Sequence, residues 1–210
     1  MKKEEFNSTW SALHGGAEVK GIVKAWLAIS FASAKALTKL RVTPNILTLL
    51  GIVFAIAMAA NPLSLWAIPL LVLSLYADGI DGSVAIFQKR QSSFGAILDA
   101  SADRVSEALW FYVAYRIGAP AWLVLATYVI ASTQEYSRAR LGGLGISDVG
   151  VVTPAERPVR ASFVFIALVS YALGFEFVDI ALLVLAILQV ISFGLVARFA
   201  HNSLRNNLSA

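Results

Sequence analysis

The sequence predicts an all-α integral membrane protein, with six transmembrane helices preceded by an N-terminal interfacial amphipathic helix. Three observations predict it. The 210 residues are 58% apolar and only 14% charged, whereas soluble domains carry about 25% charged residues. The mean hydropathy is +0.73. The apolar residues also gather in segments near the ~20 residues that a bilayer-spanning helix needs. These features exclude a water-soluble globular domain, a disordered chain and a coiled coil. There is no cysteine, so disulfides, thiolate metal ligands and thiolate nucleophiles are excluded as well.

The elements follow in chain order. Residues 1–43 read as a cytoplasmic and interfacial N-terminal segment, and residues 44–200 as a six-helix core, together forming one domain over 1–210. No apolar stretch of a secretory signal occurs in the first 20 residues, so none is expected. Residues 19–38 are apolar but carry Lys20, Lys24 and Lys35. That pattern suits a helix lying in the interface, its lysines reaching toward water and anionic headgroups. Thr43 before Pro44 is a helix-start signal. The six spans fall at 44–60, 63–87, 94–117, 120–138, 158–174 and 178–199. Asn61-Pro62, Gly118-Ala119-Pro120 and the Gly174 region supply turns on one side. Longer loops at 88–93 and 139–157 lie on the other.

Basic residues orient this arrangement. Lys2, Lys3, Lys20, Lys24, Lys35, Lys39 and Arg41 precede the first span, and Lys89 and Arg90 follow the second. Arg138, Arg140, Arg157 and Arg160 flank the loop after the fourth span, and Arg198 and Arg205 end the chain. Threading six spans puts all of these on one face, which makes that face cytoplasmic and both termini internal. Arg116 lies near the opposite face, and Arg104 falls within a span. Most of the five tryptophans, Trp10, Trp26, Trp66, Trp110 and Trp122, read as interfacial anchors.

Four of the 13 acidic residues lie in one stretch across the second and third spans: Asp78, Asp81, Asp99 and Asp103. An uncompensated Asp inside a span costs about 2.5–3.5 kcal/mol on insertion scales. Asp78 and Asp81 are spaced i, i+3, and Asp99 and Asp103 are spaced i, i+4, so each pair projects from one helix face. A short loop makes the two helices antiparallel, so the pairs can meet near the cytoplasmic end. Hard oxygen donors without Cys or His suit Mg²⁺, Mn²⁺ or Ca²⁺ rather than zinc, and four carboxylates can hold two ions. Gly79, Gly82 and Gly95 accompany them, allowing close approach of a ligand or simply tight helix packing.

The same stretch resembles the motif of the CDP-alcohol phosphatidyltransferase family, D-x2-D-G-x2-A-R-x8-G-x3-D-x3-D. Here it reads Asp78, Asp81-Gly82, Ala85, Gly95, Asp99 and Asp103 with every interval matched. Ile86 stands where the family has arginine, and Lys89 and Arg90 follow at i+3 and i+4 from it. The resemblance implies transfer of a phosphatidyl-type group from a CDP-linked lipid to the hydroxyl of a polar alcohol, with release of CMP. It implies that Asp78, Asp81, Asp99 and Asp103 bind two Mg²⁺ or Mn²⁺ ions and that Asp103 is also the general base. By the same likeness Gly82, Ala85 and Gly95 line the nucleotide pocket with Asp81, Asn45 and Thr48, and Lys89 and Arg90, on the Ile86 face of the helix, can replace the charge of the missing arginine there. The Thr43–Thr48 segment fits a plain helix cap equally well. A homodimer in the cell membrane, with its active site on the cytoplasmic side and no nucleic-acid partner, is also expected.

The segment containing Tyr136, Arg138, Arg140, Glu156, Arg157 and Arg160 resembles the branch of the family that uses inositol phosphate. Arg138, Arg157 and Arg198 are the expected ligands of an acceptor phosphate, with inositol phosphate favoured and glycerol 3-phosphate next. Positive-inside anchoring accounts for the same arginines without a ligand. Glu107 reads as a supporting group one turn past Asp103, Glu135 as the i, i+3 partner of Arg138, and His14 and His201 as surface residues. Two other classes fit the intramembrane carboxylates: a cation-coupled transporter or metal carrier, and an inactive relative that binds CDP-lipid without turnover.

Overall fold

A computed structural model describes residues 1–146 and 152–208. Within them lie eight helices: α1 (Lys3–Leu13), α2 (Gly21–Lys39), α3 (Pro44–Ala60), α4 (Ala67–Gln88), α5 (Ser93–Arg116), α6 (Ala121–Gly143), α7 (Arg157–Ala172) and α8 (Val178–Leu208). A helix, α3 to α8, overlaps each of the six segments expected to span, and α2 overlaps the segment expected to lie in the interface. Part of the anticipated loop 139–157 lies outside the described residues.

The boundaries differ from expectation for local reasons. Helix α4 begins at Ala67 because successive turns, closed by Ser64 N to Asn61 O at 3.1 Å and Ala67 N to Ser64 O at 2.9 Å, occupy the residues around Pro62. Helix α6 runs on past Arg138 to Gly143. Helix α1 was not anticipated, although Phe6, Trp10 and Leu13 repeat at i, i+4 and i+7, the spacing of one helix face.

The chain forms two compact units. One comprises Met1–Ala57 and Val72–Ser106. In it, α2 buries Leu27, Ser30 and Ala34 and leaves Lys24, Lys35 and Lys39 exposed, which is an amphipathic arrangement. Helices α2 and α3 meet at a bend of 106°. Arg41 there has a left-handed φ of 60°, and the residue before Pro44 is disfavoured in helical geometry. Gln88 closes the corner by donating Nε2 to the Val42 carbonyl at 2.7 Å and to Thr38 Oγ1 at 3.1 Å. Helices α3 and α4 approach closely at Gly51, whose carbonyl accepts from Ser74 Oγ at 2.8 Å. An added Cβ at Gly51 would stand 3.3 Å from the Ser74 carbonyl oxygen.

The other unit comprises Met58–Leu71 and Glu107–Ala210. Helix α8 packs against α6 and α7, and its buried face includes Leu182, Leu185 and Gln189. Gln189 Nε2 donates to Gln134 Oε1 on α6 at 2.8 Å. The opposite face of α8 exposes Ile180, Leu183, Ile187, Val190 and Ile191. An exposed helix face of that composition suits lipid rather than water.

Among the described residues, α4 and the Val178–Arg205 part of α8 are long and apolar enough to cross a membrane, and the bent α2–α3 pair adds a third if it counts as one span. The other helices miss that standard for visible reasons. Helix α7 has 16 residues. Helix α5 carries Asp99, Asp103, Arg104 and Glu107, and α6 ends with Glu135, Arg138 and Arg140.

Candidate functional site

The α4–α5 hairpin places the acidic residues. Helix α4 ends at Gln88, Lys89 turns the chain with φ 55°, and α5 starts at Ser93. Ser92 Oγ accepts from the Gly95 amide at 3.0 Å, satisfying one of the free N–H groups of the first turn. Asp78 from α4 and Asp99 and Asp103 from α5 each bring a carboxylate oxygen into one cluster, all within 4.8 Å of one another and part-buried. Two unit charges at that separation or closer repel by at least about 3.5 kcal/mol at an effective dielectric of 20. A divalent cation with oxygen preference would convert that repulsion into coordination. The all-carboxylate donor set fits such an ion.

Asp81 lies outside this three-oxygen cluster but beside it, close enough that the charges of Asp99 and Asp78 bear on it. Its side chain is buried at 5% exposure. It accepts hydrogen bonds from the hydroxyl of Thr48 on α3 and, at 2.5 Å, from the Gly82 amide. Thr48 thus holds a carboxylate of the site.

A cavity of about 450 Å³ opens on these groups, lined by Asn45, Thr48, Asp78, Asp81, Asp99 and Arg90, together with Gly82, Ala85 and Gly95. At Gly82 an added Cβ would meet nothing within 4 Å, so its absence leaves open space in the cavity wall. At Gly95 it would stand 3.1 Å from Ser92 Oγ and 3.6 Å from Asn45 Oδ1. Lys89 is exposed outside the lining and pairs with Glu5 of α1 at 3.2 Å. That hydrogen bond and charge hold the Glu5 carboxyl below its usual range. Ile86 lines the cavity and is buried against Phe6 and Leu27.

The expected acceptor arginines belong to the second unit. Arg138 on α6 meets Glu156 through two bonds, Nη1 to Oε2 at 2.8 Å and Nη2 to Oε1 at 2.7 Å. Glu135 is 3.7 Å away, as its i, i+3 spacing predicts. Glu156 also accepts from the Thr153 amide at 2.8 Å and hydroxyl at 2.7 Å. Burial pushes its carboxyl up, but the bonds from Arg138 and Thr153 and the Arg138 charge outweigh burial and bring it to about 2. Arg157 lies over the Trp110 ring, 4.8 Å from its centroid. Arg198 is exposed on α8.

Spacing did not single out Arg160. It is fully buried, with Nε bonded to the equally buried Glu107. Its Nη1 donates to the Ala155 carbonyl at 2.5 Å and Nη2 to Glu135 at 3.3 Å. Glu107 itself was the available signal, because a carboxylate inside an apolar helix needs a counter-charge.

Comparison with known proteins adds to this geometry. The family model of CDP-alcohol phosphatidyltransferase matches residues 41–196. A phosphatidylinositol phosphate synthase of Corynebacterium glutamicum is 35% identical over 167 residues, 73% of this chain and 75% of that one. An archaetidylinositol phosphate synthase of Pyrococcus horikoshii is 33% identical over 167 residues, 76% of this chain and 84% of that one. The crystal structure of Mycobacterium tuberculosis phosphatidylinositol phosphate synthase with CDP-DAG bound has a TM-score of 0.67 at 24% identity, covering 82% of this chain and 94% of that one. The same enzyme in complex with manganese and citrate also has a TM-score of 0.67, at 23% identity, covering 81% and 88%. Likeness at that identity shows a shared fold.

Proposed function

The chain belongs to the CDP-alcohol phosphatidyltransferase family, and from that premise we propose that it is a membrane enzyme of phospholipid synthesis. It transfers a phosphatidyl-type group from a CDP-linked, CDP-diacylglycerol-like lipid to the hydroxyl of a phosphorylated polyalcohol and releases CMP. Inositol phosphate is the favoured acceptor and glycerol 3-phosphate the next. The observation that carries this reading is the cluster of Asp78, Asp99 and Asp103 oxygens within 4.8 Å of one another. Asp81 stands beside them on a cavity large enough for a nucleotide. The relatives named as phosphatidylinositol and archaetidylinositol phosphate synthases support the choice of acceptor.

Asp78, Asp81 and Asp99 would hold Mg²⁺ or Mn²⁺, two ions in all, with Asp103 sharing in the coordination. Bound there, the ions would neutralise the donor diphosphate and stabilise the charge that develops on the departing CMP. Asp103 accepts the proton of the acceptor hydroxyl as its oxygen forms the new bond to phosphorus. The bond from that phosphorus to the CMP oxygen breaks, and CMP leaves with the electron pair. Thr48 keeps Asp81 oriented. Asn45, Gly82, Ala85, Gly95 and Arg90 contact the nucleotide, with Lys89 at the rim. Arg138, Arg157 and Arg198 receive the acceptor phosphate, which exchanges with Glu156 for the fork of Arg138.

In the membrane, α3 to α8 form six spans and α2 lies in the cytoplasmic interface, with both termini and the site on that side. The distribution of lysine and arginine supports this topology. The deciding experiment incubates the purified chain with CDP-diacylglycerol, Mn²⁺ or Mg²⁺, and separately inositol phosphate, glycerol 3-phosphate, inositol or serine. CMP release is expected with inositol phosphate. No CMP with any acceptor would overturn the reading.

A further inference from the structure

Ile86 joins two features that the proposed reaction does not use. Where the family motif places an arginine, Ile86 is 5% exposed and packs in one cluster with Phe6 of α1 and Leu27 of α2. A guanidinium could not be buried among those side chains without a partner, so the isoleucine and the docking of α1 are two halves of one arrangement. Lys89 adds a tie to the same helix through Glu5 at 3.2 Å. Phe31 braces Phe6 edge-on, with ring centroids 5.5 Å apart.

Docked this way, α1 becomes a wall of the cavity that holds the carboxylates, and Trp10, Leu13 and His14 line it. Trp10 and His14 are themselves stacked, with centroids 4.0 Å apart and planes 18° from parallel. His14 Nδ1 donates to the Trp10 carbonyl at 2.8 Å, which fixes the imidazole beside the indole. Stacked aromatic rings lining the same cavity as Asp78, Asp81 and Asp99 offer a surface for a flat, uncharged group rather than for phosphate.

We infer that α1 is part of the donor site and that the stacked Trp10–His14 pair is a specificity-determining platform whose outer face receives the nucleobase of the CDP-linked lipid. This rests on the donor reading above. With the base bound here, the ribose-linked diphosphate would fall to Asp78 and Asp99, which line the same cavity. Aromatic stacking on a base typically contributes between about fivefold and about 150-fold in affinity.

The test uses the full-length chain in detergent with Mn²⁺ and compares CMP with ribose 5-phosphate, which has the sugar and phosphate but no base. Wild-type protein is expected to prefer CMP. Trp10→Ala should cut that preference roughly tenfold while leaving the Kd of ribose 5-phosphate unchanged, and Trp10→Phe should restore most of it. His14→Ala should give a smaller loss of the same kind. An equal loss for both ligands would mean that Trp10 only holds the fold, and would overturn the inference, as would an unchanged preference. Wild-type protein that binds no CMP would overturn the donor reading and the inference with it.

Discussion

Thr48 on α3 donates its hydroxyl to the carboxylate of Asp81 on α4, and both side chains are almost fully buried, at 3% and 5% exposure. A carboxylate fixed by a hydroxyl and by the Gly82 amide cannot turn freely when an ion arrives. Partners of this kind typically control metal affinity or activity by about 10–100-fold. Thr48→Val keeps the shape and removes the donor, so it should weaken Mn²⁺ binding and CMP release by roughly that factor. Thr48→Ser should restore both. If Thr48→Val binds Mn²⁺ as tightly as wild type, Thr48 does not position Asp81.

Asp99 belongs to a cluster of three carboxylates from two helices. Asp99→Asn removes one anionic ligand and one like charge together. The two effects oppose each other, which makes the variant informative. CMP release should fall by at least about 100-fold, since a metal-assisted step loses several kcal/mol of charge stabilisation. The Tm in EDTA should not fall, because the metal-free protein has less repulsion to contain. EDTA should stop turnover by the wild type, and Mg²⁺ or Mn²⁺ should bring it back. Turnover undiminished by EDTA would remove the ions from the mechanism.

The carboxylates were legible in the sequence because the information is local. Asp78 lies on one helix, Asp99 and Asp103 lie one turn apart on the next, and a short loop joins the two, so their meeting follows from spacing, whereas spacing did not show that Asp81 would turn to Thr48 on α3. The ion pairs of the other unit were legible only in part, because helical spacing reports only neighbours three or four residues away. It found Glu135 for Arg138 but not Glu156, 18 residues on, nor Glu107 for Arg160, 53 residues back. Helix α1 was hidden by its polar composition, with only Phe6, Trp10 and Leu13 marking its apolar face. Ile86 was visible as a departure from the family motif, but its packing on Phe6 depends on that unforeseen helix.

Arg160 and Glu107 are both fully buried and bonded to each other. Removing one member of such a pair leaves an uncompensated charge, which costs about 3–5 kcal/mol. Arg160→Met should therefore destabilise the protein strongly, measured as a fall in Tm in detergent. Combining it with Glu107→Gln should recover much of the loss, since the orphaned charge is gone. A double variant as unstable as the sum of the two singles would show that the residues act independently.

Glu156 makes stability depend on pH in a defined direction. Its folded-state carboxyl titrates at about 2, against an ordinary value of 4.5, through the bonds from Arg138 and Thr153 that outweigh burial. A carboxylate depressed by folding stabilises the native state fully above the unfolded value and loses that contribution as pH falls through the folded one. The contribution of Glu156 should thus be complete above about pH 4.5 and disappear toward pH 2. Glu156→Gln should be less stable than wild type at pH 6, and the gap in Tm should close steadily between those two limits. Two curves that stay parallel from pH 6 to pH 2 would show that the ionised form of Glu156 is not what holds the loop to Arg138.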